Sequence, residues 1–132
     1  MPETKVALSR SRRVLVVDDT PTVAVLIAMT IAQYGHEVRF VHSAGEALAL
    51  MEEFAPEIVF SDLSMPVMHG CALARALRAD PRYRDLVLVA LTAYEDEEQI
   101  ARALGAGFNR VLGKPPEIAG MEQILEMACG AE

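Results

Sequence analysis

The sequence predicts a doubly wound α/β domain: a five-stranded parallel sheet in the order 2-1-3-4-5, with helices on both faces. Three observations carry this. Short β-type runs alternate with helical periodicity five times from Arg12 onward, and parallel strands need crossovers long enough to hold a helix. The first, third and fourth runs (residues 14–17, 58–61 and 86–91) are apolar throughout or nearly so, as strands covered on both faces must be. The second run carries Glu37 and Arg39 on one side, and the fifth is short and flanked by Arg110; such features belong on sheet edges. That order puts a topological switch point between strands one and three.

Each element has a local reason. Residues 1–11 read as a disordered lead-in and 12–132 as one domain, since 132 residues match a single domain of ordinary size. Val14 to Val17 is a β-branched run too short for a helix. Thr20 then offers an N-cap with Pro21 at the first helical position. Val23, Leu26, Ile27, Thr30, Ile31 and Tyr34 follow at helical spacing, and Gly35 suits the position just past the end.

Residues 37–41 form the second strand. Ser43 and Glu46 have capping-box spacing, opening a helix with Ala44, Ala47, Leu48 and Met51 as its inner stripe. Pro56 ends it before the third strand. After a loop containing Pro66 and Gly70, Leu73, Ala74 and Leu77 line a third helix. The fourth helix is expected over 95–104, closed by Gly105. The fifth strand is expected at 110–112, and Met121, Ile124, Leu125 and Ala128 form the stripe of the last helix.

Composition narrows the function. Nineteen Asp and Glu against twelve Lys and Arg give a net charge of −7, which argues against a broad nucleic-acid or anionic-membrane surface. Two cysteines, Cys71 and Cys129, cannot make a disulfide framework and fit a reducing compartment. No apolar run approaches the ~20 residues of a spanning helix, and the basic cluster Arg10, Arg12 and Arg13 follows its apolar patch, the reverse of a secretory signal. The expectation is a cytoplasmic protein without nucleic-acid or membrane contacts.

In an open parallel sheet the site lies beyond the carboxyl ends of the strands. The first run ends in Asp18-Asp19, the third in Ser61-Asp62, the fourth in Thr92-Ala93 and the fifth in Gly113-Lys114-Pro115. Singly, each is ordinary: an acidic pair near a helix start, a turn Asp, a cap hydroxyl, a surface Lys. Together they fall at one end of four strands. Three crowded carboxylates call for a cation, and an all-oxygen donor set suits a hard ion such as Mg²⁺. A carboxylate between that ion and a Lys can attack phosphorus and form an aspartyl phosphate. Thr92, nearby backbone N–H groups and Lys114 would meet the phosphoryl oxygens, and the small Ala93 leaves room.

Val14 to Asp19, Asp62-Leu63-Ser64-Met65-Pro66 with Gly70, Leu91-Thr92-Ala93 and Gly113-Lys114-Pro115 resemble the receiver domain of bacterial two-component response regulators, a flavodoxin-like fold, in the single-domain, chemotaxis-regulator-like form. The separations match that pattern: 43 residues from Asp19 to Asp62, 30 more to Thr92 and 22 more to Lys114. The resemblance implies that Asp62 accepts a phosphoryl group from a histidine kinase or phosphotransfer protein. It also implies that Asp19 binds Mg²⁺ directly and Asp18 mainly through water, with Asp62 and the Ser64 backbone carbonyl completing the protein ligands. Thr92 would turn toward the phosphoryl group, Lys114 would pair with it, and the Lys114–Pro115 bond is often cis in this family. Ser64 and Tyr94, two residues beyond Asp62 and Thr92, would tune phosphate lifetime.

The chain departs from the family at Val111, where an aromatic switch residue normally stands three positions before the Lys; Phe108 falls elsewhere and reads as core. Output is then expected through backbone shifts after Thr92 and in the fourth helix. The downstream protein would dock on the face of the fourth helix, fifth strand and fifth helix, with the chain a monomer or weak dimer. Since only one helix follows Lys114, no DNA-binding or enzymatic output domain is expected. Two other readings stand beside this one. A receiver-like interaction module that no longer switches in the usual way is motivated by Val111. A small aspartate-nucleophile phosphatase shares the Asp, Thr, Lys and Mg²⁺ set, but its Asp-x-Asp is not the adjacent Asp18-Asp19 found here. The leading expectation is a phosphoacceptor rather than an enzyme, with only self-phosphorylation and self-dephosphorylation chemistry.

Overall fold

The computed structural model describes residues 11–65, 68–93, 96–114 and 116–130, except the side chains of 127–130. The elements are β1 Arg13–Val17, α1 Pro21–Ala32, β2 Glu37–Val41, α2 Ala44–Phe54, β3 Ile58–Asp62, α3 Gly70–Arg78, a 3₁₀ turn Pro81–Tyr83, β4 Val87–Thr92, α4 Glu97–Ala106, β5 Arg110–Gly113 and α5 Ile118–Gly130. The five strands form one parallel sheet in the expected order 2-1-3-4-5.

Strand periodicity divides the core in two. Leu15, Val17, Val59, Leu88 and Ala90 point to the face covered by α2, α3 and α4, where Met51, Phe54, Leu73, Leu77, Ala103 and Phe108 pack. Val14, Val16, Ile58, Phe60, Val89 and Leu91 point the other way, against Ala24, Ile27 and Ile31 of α1 and Met121, Ile124 and Leu125 of α5. Neighbouring residues on one strand thus serve opposite layers. The central strands are buried almost throughout, while β2 has no fully buried residue and β5 is half-buried. Phe108 is core, as expected, and Met65 and Met68 pack in the same layer.

Several local expectations need correction. The inner stripe of α1 is Ala24, Ile27, Ala28 and Ile31, whereas Leu26 is 64% exposed. This helix is apolar on nearly every side, so spacing alone does not select a face. Thr20 stands at its N-cap without a side-chain cap bond; its own N–H donates to Asp18 Oδ1 at 2.9 Å instead. In α2 the half-buried Leu48 yields to Phe54 as a core residue. Gly70 is not in the loop but opens α3. Gly105 does not close α4, which runs on to Ala106 and ends at Gly107, where φ is +120°. Residues 1–10, Pro66, Tyr94, Glu95, Pro115 and the side chain of Ala128 lie outside the described residues.

Candidate functional site

Sheet register delivers the site. Val17 pairs with Ser61, Asp62 with Leu91 and Thr92 with Gly113. The residues that end β1, β3, β4 and β5 therefore stand side by side. Asp18 prolongs β1 through its N–H to the Val41 carbonyl, and Lys114 prolongs β5 through its N–H to the Thr92 carbonyl at 2.8 Å.

Asp18, Asp19 and Asp62 each offer a carboxylate oxygen, and these oxygens lie within 4.8 Å of one another. Asp18 and Asp62 are buried, and Asp19 closes the cluster on the solvent side. Lys114 Nζ reaches across from β5 to Asp18 Oδ2 at 3.2 Å and Asp62 Oδ2 at 3.3 Å. Thr92 is buried and Ala93 exposed at the end of β4. Ser64 is exposed, and its N–H approaches Asp62 Oδ1 at 3.3 Å. The structure thus brings together the acidic set, Thr92 and Lys114, while Tyr94 lies outside the described residues. Val111 pairs with Ala90 and packs half-buried in the layer of α2, α3 and α4.

Electrostatics follow from this crowding. Burial, then the Asp18 charge, pushes Asp62 up to about 6, against the pull of Lys114 and the Ser64 N–H. Burial works against the Lys114 ammonium, but its hydrogen bond to Asp18 and the charges of Asp62 and Asp18 outweigh it, so its pKa stands above the ordinary value. An oxygen-only donor set with excess negative charge, one member open to solvent, fits a hard divalent ion that keeps part of its water shell.

Three further residues support the site from outside the acidic cluster. Gly70 packs on the strand end that bears the acceptor: a Cβ there would lie 2.4 Å from the Asp62 carbonyl oxygen and 2.9 Å from Leu63 Cα. Its N–H donates to the Leu63 carbonyl, and His69 caps the same helix by accepting from the Cys71 N–H at 3.0 Å. Arg78 braces the lower end of α3 and α4, donating to the carbonyls of Gly107, Tyr83 and Arg84 and to Asn109 Oδ1. For Gly70, its place in the motif with Asp62 was a sequence signal; for His69 and Arg78 none existed.

Comparison with known proteins agrees with the geometry. The family described as "Response regulator receiver domain" matches residues 14–126. A probable chemotaxis protein CheY from Rhizobium etli is 32% identical, over 95% of this chain and 98% of its own. The chemotaxis response regulator CheY4 of Vibrio cholerae superposes with a TM-score of 0.83 at 26% identity, covering 90% of this chain and 99% of its own. The receiver domain of sensor histidine kinase PA1611 from Pseudomonas aeruginosa, whose structure has a magnesium ion coordinated in the active site cleft, superposes at 0.82 with 27% identity over 92% and 99%. With the strand order, the acidic cluster and the family match in agreement over nearly the whole chain, this protein belongs to the response regulator receiver domain family.

Proposed function

We propose that this chain is a phosphoacceptor in a two-component relay, with Asp62 taking a phosphoryl group from a phosphohistidine of a histidine kinase or phosphotransfer protein. The observation that carries the reading is the position of Asp62 between two further carboxylates, within 4.8 Å, and the Lys114 ammonium at 3.3 Å. Asp18, Asp19, Asp62 and the Ser64 carbonyl would hold Mg²⁺. When bound, the ion offsets the negative charge gathered where carboxylates and phosphoryl oxygens meet.

An Asp62 carboxylate oxygen attacks phosphorus while the phosphorus–nitrogen bond to the donor imidazole breaks, and the imidazole leaves after taking a proton. Lys114 is already held against Asp62 and is placed to pair with a phosphoryl oxygen on it. The Thr92 hydroxyl meets a second oxygen, and Ala93 adds no bulk at the mouth. Ser64, exposed two residues beyond Asp62, is placed to screen the water that hydrolyses the acyl phosphate; Tyr94 would share that role. The chemistry is self-phosphorylation and self-dephosphorylation rather than turnover of a free substrate, in the cytoplasm.

Output would pass to a protein docking on α4, β5 and α5. Val111 favours a readout through the backbone after Thr92 and through α4, because an aliphatic side chain packed in the core cannot swing as an aromatic would. Amide NMR spectra with Mg²⁺, with and without beryllofluoride, test this. Shifts around Asp62, Thr92 and α4 are expected. Mg²⁺ shifts with no further change on adding beryllofluoride would instead favour an interaction module that no longer switches.

A further inference from the structure

We infer that His42, in the corner between β2 and α2, is a positioning residue for the divalent-cation site; this rests on the metal-binding reading of Asp18, Asp19 and Asp62. In a parallel ladder the rung after the Asp18 N–H to Val41 carbonyl bond would bring the Ser43 N–H to the Asp18 carbonyl. The strand register ends instead at Val17 and Val41, where the chain turns into α2. The His42 ring takes over that acceptor: Nδ1 lies 3.2 Å from the Asp18 carbonyl oxygen. A carbonyl only accepts, so Nδ1 carries the hydrogen.

The ring is itself held. The His42 N–H donates to Glu46 Oε1 at 2.7 Å, and Glu46 in turn donates its own N–H to Ser43 Oγ at 3.1 Å. The imidazole also packs against Phe40, with ring centroids 5.8 Å apart. The Asp18 peptide is thus pinned at both ends of its residue, by the Val41 carbonyl on its N–H and by His42 on its C=O. The Asp18–Asp19 peptide plane sets where Asp19, the solvent-side member of the acidic cluster, projects. With the carbonyl released, that plane rotates, and Asp19 must be ordered again each time an ion binds.

Two variants separate the donor from the ring. His42→Phe keeps an aromatic against Phe40 and removes the N–H; His42→Asn keeps an amide N–H at similar reach and removes the ring. Mg²⁺ titration followed by amide NMR, with melting in chelator as a check on folding, should show His42→Phe weakened about tenfold, the scale typical of groups that orient metal ligands, and His42→Asn close to wild type. Phosphorylation by acetyl phosphate should need correspondingly more Mg²⁺ in His42→Phe yet reach the wild-type rate at saturation. Equal Mg²⁺ affinity in both variants and wild type, equal weakening of both, or a weak His42→Asn beside a normal His42→Phe would each overturn the inference. Wild-type protein that binds no Mg²⁺ would overturn the metal reading itself, a separate result.

Discussion

Lys114 Nζ stands 3.3 Å from Asp62 Oδ2 while remaining 3.2 Å from Asp18 Oδ2, so one ammonium serves two buried carboxylates. Removing it leaves those carboxylates facing each other. In Lys114→Met the protein should lose on the order of 1–3 kcal/mol in chelator at neutral pH, as breaking a partly buried ion pair does. Millimolar Mg²⁺ should restore part of the loss. Urea denaturation with and without the ion checks this; equal stability of wild type and variant in chelator would contradict it.

Asp62 supplies a second test, with a defined sign. Its folded pKa, about 6, lies above the ordinary 3.8, so the folded state holds its proton more tightly and the ionised form is destabilising. That cost is complete above about pH 6, fades as pH falls toward 4, and is absent below the ordinary value. Asp62→Asn should therefore stabilise the chelated protein at pH 7.5 by on the order of 1–3 kcal/mol, with the gain shrinking on acidification. Denaturation across pH measures it, and a gain that grows toward acid would exclude this account.

His36 acts in the opposite direction at the other end of the strands. It is buried, and its Nδ1 accepts from the Arg12 N–H at 2.9 Å. Burial, then the Arg12 charge, lowers its pKa, against the pull of Glu57. The stability it contributes is present above its ordinary value of 6.5 and is lost as pH falls through it. In an Asp62→Asn background, stability should decline from pH 7 to pH 5, and adding His36→Asn should flatten that decline. Parallel slopes would show that His36 is not its source.

How far the sequence speaks depends on whether a feature repeats. The strands were legible because Val14, Val16, Ile58 and Phe60 recur on one face and Leu15, Val17 and Val59 on the other. The acidic site was legible because Asp62 and Thr92 end their strands and Asp18 and Lys114 come directly after theirs, and parallel strands align their ends. Leu26 misled because α1 offers apolar residues on several sides. Gly105 misled because two glycines flank Ala106, and only Gly107 takes the positive φ that stops a helix. Arg78, His42 and His36 were silent: each acts alone, through bonds to backbone groups distant in sequence, and no spacing reports such contacts.

Gly70 shows how tightly the fold supports the acceptor. A Cβ there meets backbone atoms of Asp62 and Leu63, with no flexible side chain to yield. Gly70→Ala should cost about 1–3 kcal/mol, the scale of overpacking, and slow phosphorylation by acetyl phosphate more than Gly45→Ala, where a Cβ meets only Ser43 Oγ at 4.0 Å. Thermal melts and initial rates for the two variants make the comparison.

The central claim is that Asp62 is the nucleophile, and trapping its product tests this most directly. After incubation with acetyl phosphate and Mg²⁺, borohydride reduction converts an aspartyl phosphate to homoserine, which peptide mass spectrometry locates. Homoserine at position 62, absent in Asp62→Asn and absent in chelator, is the predicted result. Phosphorylation at another residue, or none in folded, Mg²⁺-loaded protein, would contradict it.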